Sequence, residues 1–244
     1  MIDVSLPLGF LHTLTGAFDF ILHQRPSPVT GGNPVGGPAQ VWSLTRAQLE
    51  VSGLALAGAT ALALPLGAYL GHRRRGEFLA IAFGNAGRAV PEFAAMALLA
   101  AVIGVGLGDV AIALMILGIP PILTNSYVAV SQVDQGAVEA ARGMGMTELE
   151  VFLKVEIPLA IPTIMGGVRT SAINIIATAT IATFFGYLTL GDLITGRNVY
   201  GTEGVLAGGI LVALLALLVE VTLAGLQWLL TPRGLRLQRA GGRA

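Results

Sequence analysis

Glu139-Ala140-Ala141-Arg142-Gly143-Met144-Gly145-Met146-Thr147, running on to Val155-Glu156-Ile157-Pro158, belongs to a polar island between two long apolar segments. From residue 134 to 156 the island holds seven charged side chains: Asp134, Glu139, Arg142, Glu148, Glu150, Lys154 and Glu156. Elsewhere charge is scarce. Only 11% of the 244 residues are charged and 54% are hydrophobic, whereas globular proteins carry about 25% charged residues. Apolar runs of about 20 residues cross ~30 Å of hydrocarbon at ~1.5 Å per residue. Many of the 33 glycines and 12 prolines fall inside such runs, which membrane helices tolerate. The composition therefore gives an integral membrane protein, and the island marks where it meets water and a partner. Zero net charge says little about partners, and the absence of cysteine excludes disulfides and thiolate chemistry.

Working outward, Val51 to Leu70 is a charge-free run of 20 residues, followed at once by His72-Arg73-Arg74-Arg75. Further apolar stretches run from Phe78 to Gly108, Val110 to Val130, Pro158 to about Gly186, and Gly204 to Pro232; Arg88 and Glu92 interrupt the first of these around Pro91. Basic residues near span ends collect on the cytoplasmic side. The Arg73 cluster, the island and the tail with Arg233, Arg236, Arg239 and Arg243 then all lie inside. The expectation is an all-α integral membrane protein of five core spans, with the N-terminus outside and the C-terminus cytoplasmic. Its expected divisions are an external segment over 1–50, a transmembrane domain over 51–232 with the loop at 134–158, and a basic tail over 233–244.

Leu6 to Leu22 is apolar but short, and contains His12 and Asp19. It lacks the basic start and cleavage site of a secretory signal, so it reads as an interfacial helix or an additional short span. Gln24 to Val41, rich in Pro and Gly, reads as an external loop.

Within the island, Gly143 and Gly145 permit a turn between two short helices and Pro158 breaks the helix before it. The first, about Gln135 to Arg142, would show Ala137, Ala140 and Ala141. The second, about Thr147 to Val155, is capped by Thr147, with Glu148 and Glu150 complementing the helix dipole. Leu149, Phe152 and Leu153 form one apolar face, shaped to sit in a groove of another protein.

The spacing of Glu139-Ala140-Ala141, Gly145, Val155, Ile157 and Pro158 resembles the EAA loop of ATP-binding-cassette importer permeases. Asn125-Ser126-Tyr127, Val133-Asp134, Gly167-Val168-Arg169-Thr170 and Gly191-Asp192-Leu193-Ile194 are similar to the branch that moves glycine betaine, choline and related osmoprotectants. The likeness covers about 51 to 232. Two departures are Tyr187-Leu188-Thr189-Leu190-Gly191, where that branch has a glycine-rich segment, and the charges flanking Pro91. The resemblance implies a type I importer permease in a bacterial inner membrane. Its loop, through Glu139, Ala140, Ala141, Gly143, Gly145, Leu149, Phe152 and Pro158, would couple to a cytoplasmic ATPase. Implied partners are a second permease subunit, identical or homologous, two ATPase subunits that bind ATP and Mg, and an external substrate-binding protein. No nucleic-acid partner is expected.

No phosphate-binding Gly-x-x-x-x-Gly-Lys-Ser/Thr occurs, and the sole lysine is Lys154. His12, His23 and His72 lack metal-ligand spacing, and no Gly-x-Ser-x-Gly elbow is present. No catalytic residue, metal or cofactor is expected in this chain. Gly104, Gly106 and Gly108 end a span and read as a turn.

Ionisable residues at membrane depth are costly and each needs a partner. Arg88 and Glu92 are four apart, near mid-bilayer by counting from Arg75, and read either as a self-neutralising pair or as part of the solute pathway. Arg169 and Glu220 fall at similar depths and are expected to pair between helices as a structural link. Gly166, Gly167, Ala172, Ala177, Ala179, Gly208 and Gly209 permit close helix packing. Phe184, Phe185 and Tyr187 are an interfacial aromatic belt or an external gate. Rival readings are an importer of another solute, such as an amino acid or a sulfur compound, and a channel.

Overall fold

Helix α1 (Ser5–Leu22) opens the described part of the computed structural model, which comprises residues 5–27, 29–74, 77–78, 82, 84 and 91–235. Its Ala17 and Phe20 are fully buried in a cluster with residues of the last helix. Strands β1 (Gln24–Pro26) and β2 (Pro34–Gly36) pair antiparallel, with Arg25 opposite Val35. The Pro- and Gly-rich stretch is therefore a short ribbon rather than a plain loop. Prolines at its ends cost nothing, because a two-stranded ribbon has only edge strands.

Helix α2 (Gly37–His72) starts directly behind β2, with a proline in its first turn, where a missing N–H has no partner to lose. This corrects the expected start at Val51: the charge-free run is the membrane part of a 36-residue helix. At ~1.5 Å per residue α2 is about 54 Å long, well beyond ~30 Å of hydrocarbon. It thus links the two ends of the bundle.

The second expected span is described only in pieces. Helix α3 (Glu92–Ile103) has Pro91 as its N-cap and Gly104 at its end, and Arg88 lies outside the described residues. Helix α4 (Leu107–Ser131) follows, with Pro120 and Pro121 inside it. Then come α5 (Gln135–Gly143), α6 (Glu148–Val151), a π-helical turn at Phe152–Glu156, and α7 (Ile157–Thr178). A 3-10 stretch (Ala179–Phe185), α8 (Gly191–Thr195) and α9 (Arg197–Leu230) complete the order. Among the described residues four helical runs are long and apolar enough to cross a membrane: α2, α4, Glu148–Phe185 and α9.

Pro158 does not break the helix before it. Residues 156 and 157 keep right-handed helical angles, and the N–H of Ile157 reaches the carbonyl of Phe152. The wider turn moves the Lys154 carbonyl away from the pyrrolidine ring, which would clash with it in a regular α-helix. Helix therefore continues from the loop into the membrane.

Helix α4 lies between α2 and α7, and small residues make the contacts close. A Cβ on Gly71 would sit 2.6 Å from the Tyr127 carbonyl of α4, and one on Gly167 would sit 2.8 Å from the Pro121 carbonyl. Ser171 Oγ donates to the Gly118 carbonyl at 2.8 Å, and Gln48 Nε2 to the Ile176 carbonyl at 2.8 Å. The expected small residues divide. Gly167, Gly208, Ala172 and Ala179 pack against neighbours, whereas Gly166 and Gly209 face open space. Leu214, Leu217, Leu218, Val221 and Trp228 of α9 stay exposed, an apolar surface suited to lipid or another subunit.

Candidate functional site

The polar loop is folded tightly and seated on the bundle. Asp134 caps α5, its Oδ1 accepting from the Ala137 N–H at 2.9 Å. Gly145 (φ 84°) makes the turn, with its N–H on the Arg142 carbonyl at 2.9 Å. That left-handed backbone suits glycine. Gly143 is an ordinary helical residue, so only one of the two glycines expected at the turn is required there. Thr147 and Glu150 form a complete capping box at the start of α6: Thr147 Oγ1 accepts from the Glu150 N–H, and the Thr147 N–H donates to Glu150 Oε2 at 3.0 Å.

Beneath these turns Val138, Ala141 and Val151 are buried with Ala68 of α2, Val130 of α4 and Ala160 of α7. Ala141 thus faces inward, against the expectation that it would be shown, because one side of α5 must cover the ends of α2 and α4. Glu139 and Ala140 stay outside. Leu149, Leu153 and Met144 are 66%, 54% and 72% exposed, an unusual cost for large apolar groups in water. Phe152 is half-buried against His72, ring centroids 5.0 Å apart. Of the expected apolar face, Leu149 and Leu153 point outward and Phe152 serves the seat. Pro158 is half-buried at the head of α7.

Charges lace the loop. Arg142 binds Glu148 through two hydrogen bonds, Nε to Oε1 at 2.9 Å and Nη2 to Oε2 at 3.0 Å; these hold the guanidinium charged above its ordinary range. Lys154 Nζ donates to Glu150 Oε1 at 2.8 Å. His72 brings α2 into the same network, with Nδ1 2.5 Å from Glu156 Oε2 and Nε2 3.9 Å from Glu148 Oε2. Tyr69, His72, Arg142, Glu148, Leu149 and Phe152 line an open groove of about 590 Å³.

The remaining expected residues fall into two groups. Arg169 and Glu220 are brought together: Nε donates to Glu220 Oε1 at 3.0 Å and Nη2 reaches the same oxygen. Arg169 Nη1 donates to Gln227 Oε1 at 2.6 Å, and Gln227 Nε2 to the Pro162 carbonyl at 3.1 Å. The second group gathers where α7 ends. Glu92 Oε2 accepts from Thr178 Oγ1 at 2.7 Å. Thr178 is the last residue of α7, about 31 Å of helical rise from Ile157. Glu92 accordingly lies toward the end away from the loop and not half-way, at the start of a helix that opens behind an extended Pro91. Phe93 packs on Phe184 and Phe185 with centroids 5.9 and 5.1 Å away. Phe185 is buried, Phe184 is exposed, and Tyr187 packs beside the same core.

Residue-by-residue reasoning missed His72, Val138, Val151 and Phe93. Val138 and Val151 carried a signal, since Ala141 lies three residues after the first and Val155 four residues after the second. His72 and Phe93 act through contacts far apart in sequence.

The chain matches the family profile described as binding-protein-dependent transport system inner membrane component over residues 63–230. It is 40% identical over 183 residues to the carnitine transport permease protein OpuCB of Listeria monocytogenes, covering 75% of this chain and 84% of that protein. It is 37% identical over 193 residues to the glycine betaine/carnitine/choline transport system permease protein OpuCB of Bacillus subtilis (strain 168), covering 79% and 89%. A solved chain of the MetNI methionine ABC transporter in an inward facing conformation superposes with a TM-score of 0.68 at 20% identity, covering 79% of this chain and 96% of that one. At that identity the match speaks for the fold.

Proposed function

The chain belongs to the family of binding-protein-dependent transport system inner membrane components, and on that premise we propose that it is the permease of an importer for osmoprotectants: glycine betaine, choline, carnitine and related quaternary ammonium solutes. It is a membrane component of an ATP-binding-cassette transporter, a family whose ATPase is a separate subunit. The single observation that carries the coupling to an ATPase is the loop, buried on one side by Val138, Ala141 and Val151 and offering Leu149, Leu153 and Met144 on the other. The solute class rests on similarity to the carnitine and glycine betaine permeases. A rigidly seated helix–turn–helix with an unpaid apolar face is what a docking partner requires.

In this reading the loop is cytoplasmic and sits in a cleft of an ATPase subunit that binds ATP and Mg. Two permeases, identical or homologous, enclose the path, and an external binding protein delivers solute. ATP-driven closure of the ATPase pair moves the loops, and the bundles alternate between inward-open and outward-open states. The protein is then multi-pass in a bacterial inner membrane, with its N-terminus outside and C-terminus inside. Arg169 and Glu220 brace α7 to α9, and the Glu92, Phe93, Phe184, Phe185 and Tyr187 group borders the outer mouth as a candidate gate.

Reconstitution with its ATPase and binding protein in liposomes tests this. ATP-dependent uptake of glycine betaine, choline or carnitine is expected, and stimulation of ATP hydrolysis by amino acids alone would transfer the cargo to the rival class.

A further inference from the structure

At the end of α2 away from the loop lies a cavity of about 200 Å³ between α1, the ribbon and the start of α9. Gln40 Nε2 donates to Tyr200 Oη at 3.3 Å, which ties this cavity to the start of α2, whereas His72 ends α2 at the loop. Three of its lining side chains carry complementary chemistry. Tyr200 is fixed: its hydroxyl donates to Asp192 Oδ2 at 2.5 Å, and Phe20 packs edge-on with centroids 6.1 Å apart. Glu203 is half-buried and forms no described hydrogen bond or ion pair. Arg25 donates to Asp19 Oδ2 through Nε at 3.2 Å and Nη2 at 2.9 Å, and to the Gly16 carbonyl through Nη2 at 2.6 Å, while Nη1 takes no part in these bonds.

Two glycines clear space for the unpaired carboxylate. A Cβ on Gly16 would lie 2.7 Å from Glu203 Cγ and 3.8 Å from Arg25 Nη2, and one on Gly201 would lie 3.0 Å from Glu203 Oε2. Gly201 also breaks the helix with φ 69° and ψ −176°. Arg25 and Glu203 therefore approach the same point from two sides without forming a salt bridge, beside an immobilised aromatic ring.

We propose that this cavity is a binding subsite for a small zwitterion bearing a quaternary ammonium and a carboxylate, with Glu203 and the Tyr200 ring taking the cation and Arg25 the carboxylate. A quaternary ammonium cannot donate hydrogen bonds, so it is bound by a carboxylate's field and an aromatic face. A guanidinium is the complementary group for the other end. The subsite would hold solute at the outer face, and this rests on the substrate class proposed above.

The test is calorimetric titration of the purified permease, without binding protein, with glycine betaine, carnitine, choline, tetramethylammonium and acetate. The zwitterions are expected to bind the wild type, and Glu203→Gln to weaken them at least tenfold. Gly16→Val is expected to abolish binding, and Leu62→Ala on the exposed side of α2 to leave it unchanged; a thermal melt of each variant verifies folding. Equal binding to wild type and Glu203→Gln, or no binding to the wild type, overturns the subsite. So does choline binding as tightly as glycine betaine with Arg25→Gln silent, which would make this a cation site. Weaker docking of solute-free binding protein to Glu203→Gln, with no solute binding, would give the cavity to a cationic side chain of that protein and overturn the proposal too. Uptake by the reconstituted transporter separates the two readings: no quaternary ammonium uptake by the wild type defeats the importer assignment, whereas normal uptake with no binding here defeats only the subsite.

Discussion

His72 Nδ1 and Glu156 Oε2 stand 2.5 Å apart, joining the last turn of α2 to the π-helical turn before α7 across 84 residues of sequence. Glu156 is only 3% exposed, so its carboxylate depends on this partner. Leaving such a group unpaired costs about 1–3 kcal/mol. His72→Ala is expected to lower the melting temperature and to reduce solute moved per ATP hydrolysed, whereas the double variant His72→Leu/Glu156→Leu regains stability but not transport. Equal transport ratios for His72→Ala and wild type would remove the pair from the working mechanism.

The two loop glycines should behave differently. Gly145 has φ 84°, and a β-branched residue there pays about 1–2 kcal/mol for the left-handed backbone. Gly145→Val should destabilise the loop and weaken retention of the ATPase subunit on an affinity column. Gly143→Ala, in a helical position with open space around it, should retain the ATPase as well as wild type does.

Leu149 and Val151 are close in sequence and opposite in role. Leu149 is 66% exposed and Val151 is fully buried. Leu149→Ser should leave the melting temperature of the isolated permease unchanged and abolish ATPase capture. Val151→Ala should cost about 2 kcal/mol of stability through lost burial and a cavity, read as a lower melting temperature before any partner is added. The reverse pattern would turn the docking face around.

Arg169 and Glu220 invite a double-mutant cycle. Arg169→Met leaves Glu220 without its guanidinium, and an unpaired charge at membrane depth costs about 2.5–3.5 kcal/mol on insertion scales. The single variant should be poorly folded in detergent, measured by monodispersity and melting temperature. Adding Glu220→Met should restore much of the loss while transport kinetics stay within about twofold, on the scale of interhelical polar contacts worth ~0.6 kcal/mol. Strong loss of transport by a stable double variant would assign the pair to the pathway.

The apolar runs and the loop's punctuation were legible because they are local. Hydrocarbon thickness dictates run length, and Asp134, Gly145 and Thr147 act on backbone groups within three residues of themselves. Arg169 and Glu220 were legible as well, because charges at equal depth have few other partners. The start of α2 was not, since Pro38 serves a helix start as readily as a loop. Pro158 was misleading for a related reason: its clash is relieved by a wider turn upstream, which no residue type announces. The inward face of α5 depends on Ala68 and Val130, carried by other helices. The position of Glu92 depends on Thr178, 86 residues away.

The π-helical turn at Phe152–Glu156 has a consequence for sequence length. A π-turn is a helix carrying one residue more than the α-helical ladder needs, and one residue corresponds to about 100° of azimuth. Deleting a single residue there would remove the surplus residue and set the Pro158 ring against the carbonyl four places before it. It would also rotate Leu149 by more than a quarter-turn about the axis of α7, away from its present bearing. The phase between loop and membrane helix is thus stored as a residue count, so this stretch should tolerate substitution at exposed Leu153 far better than a change of length.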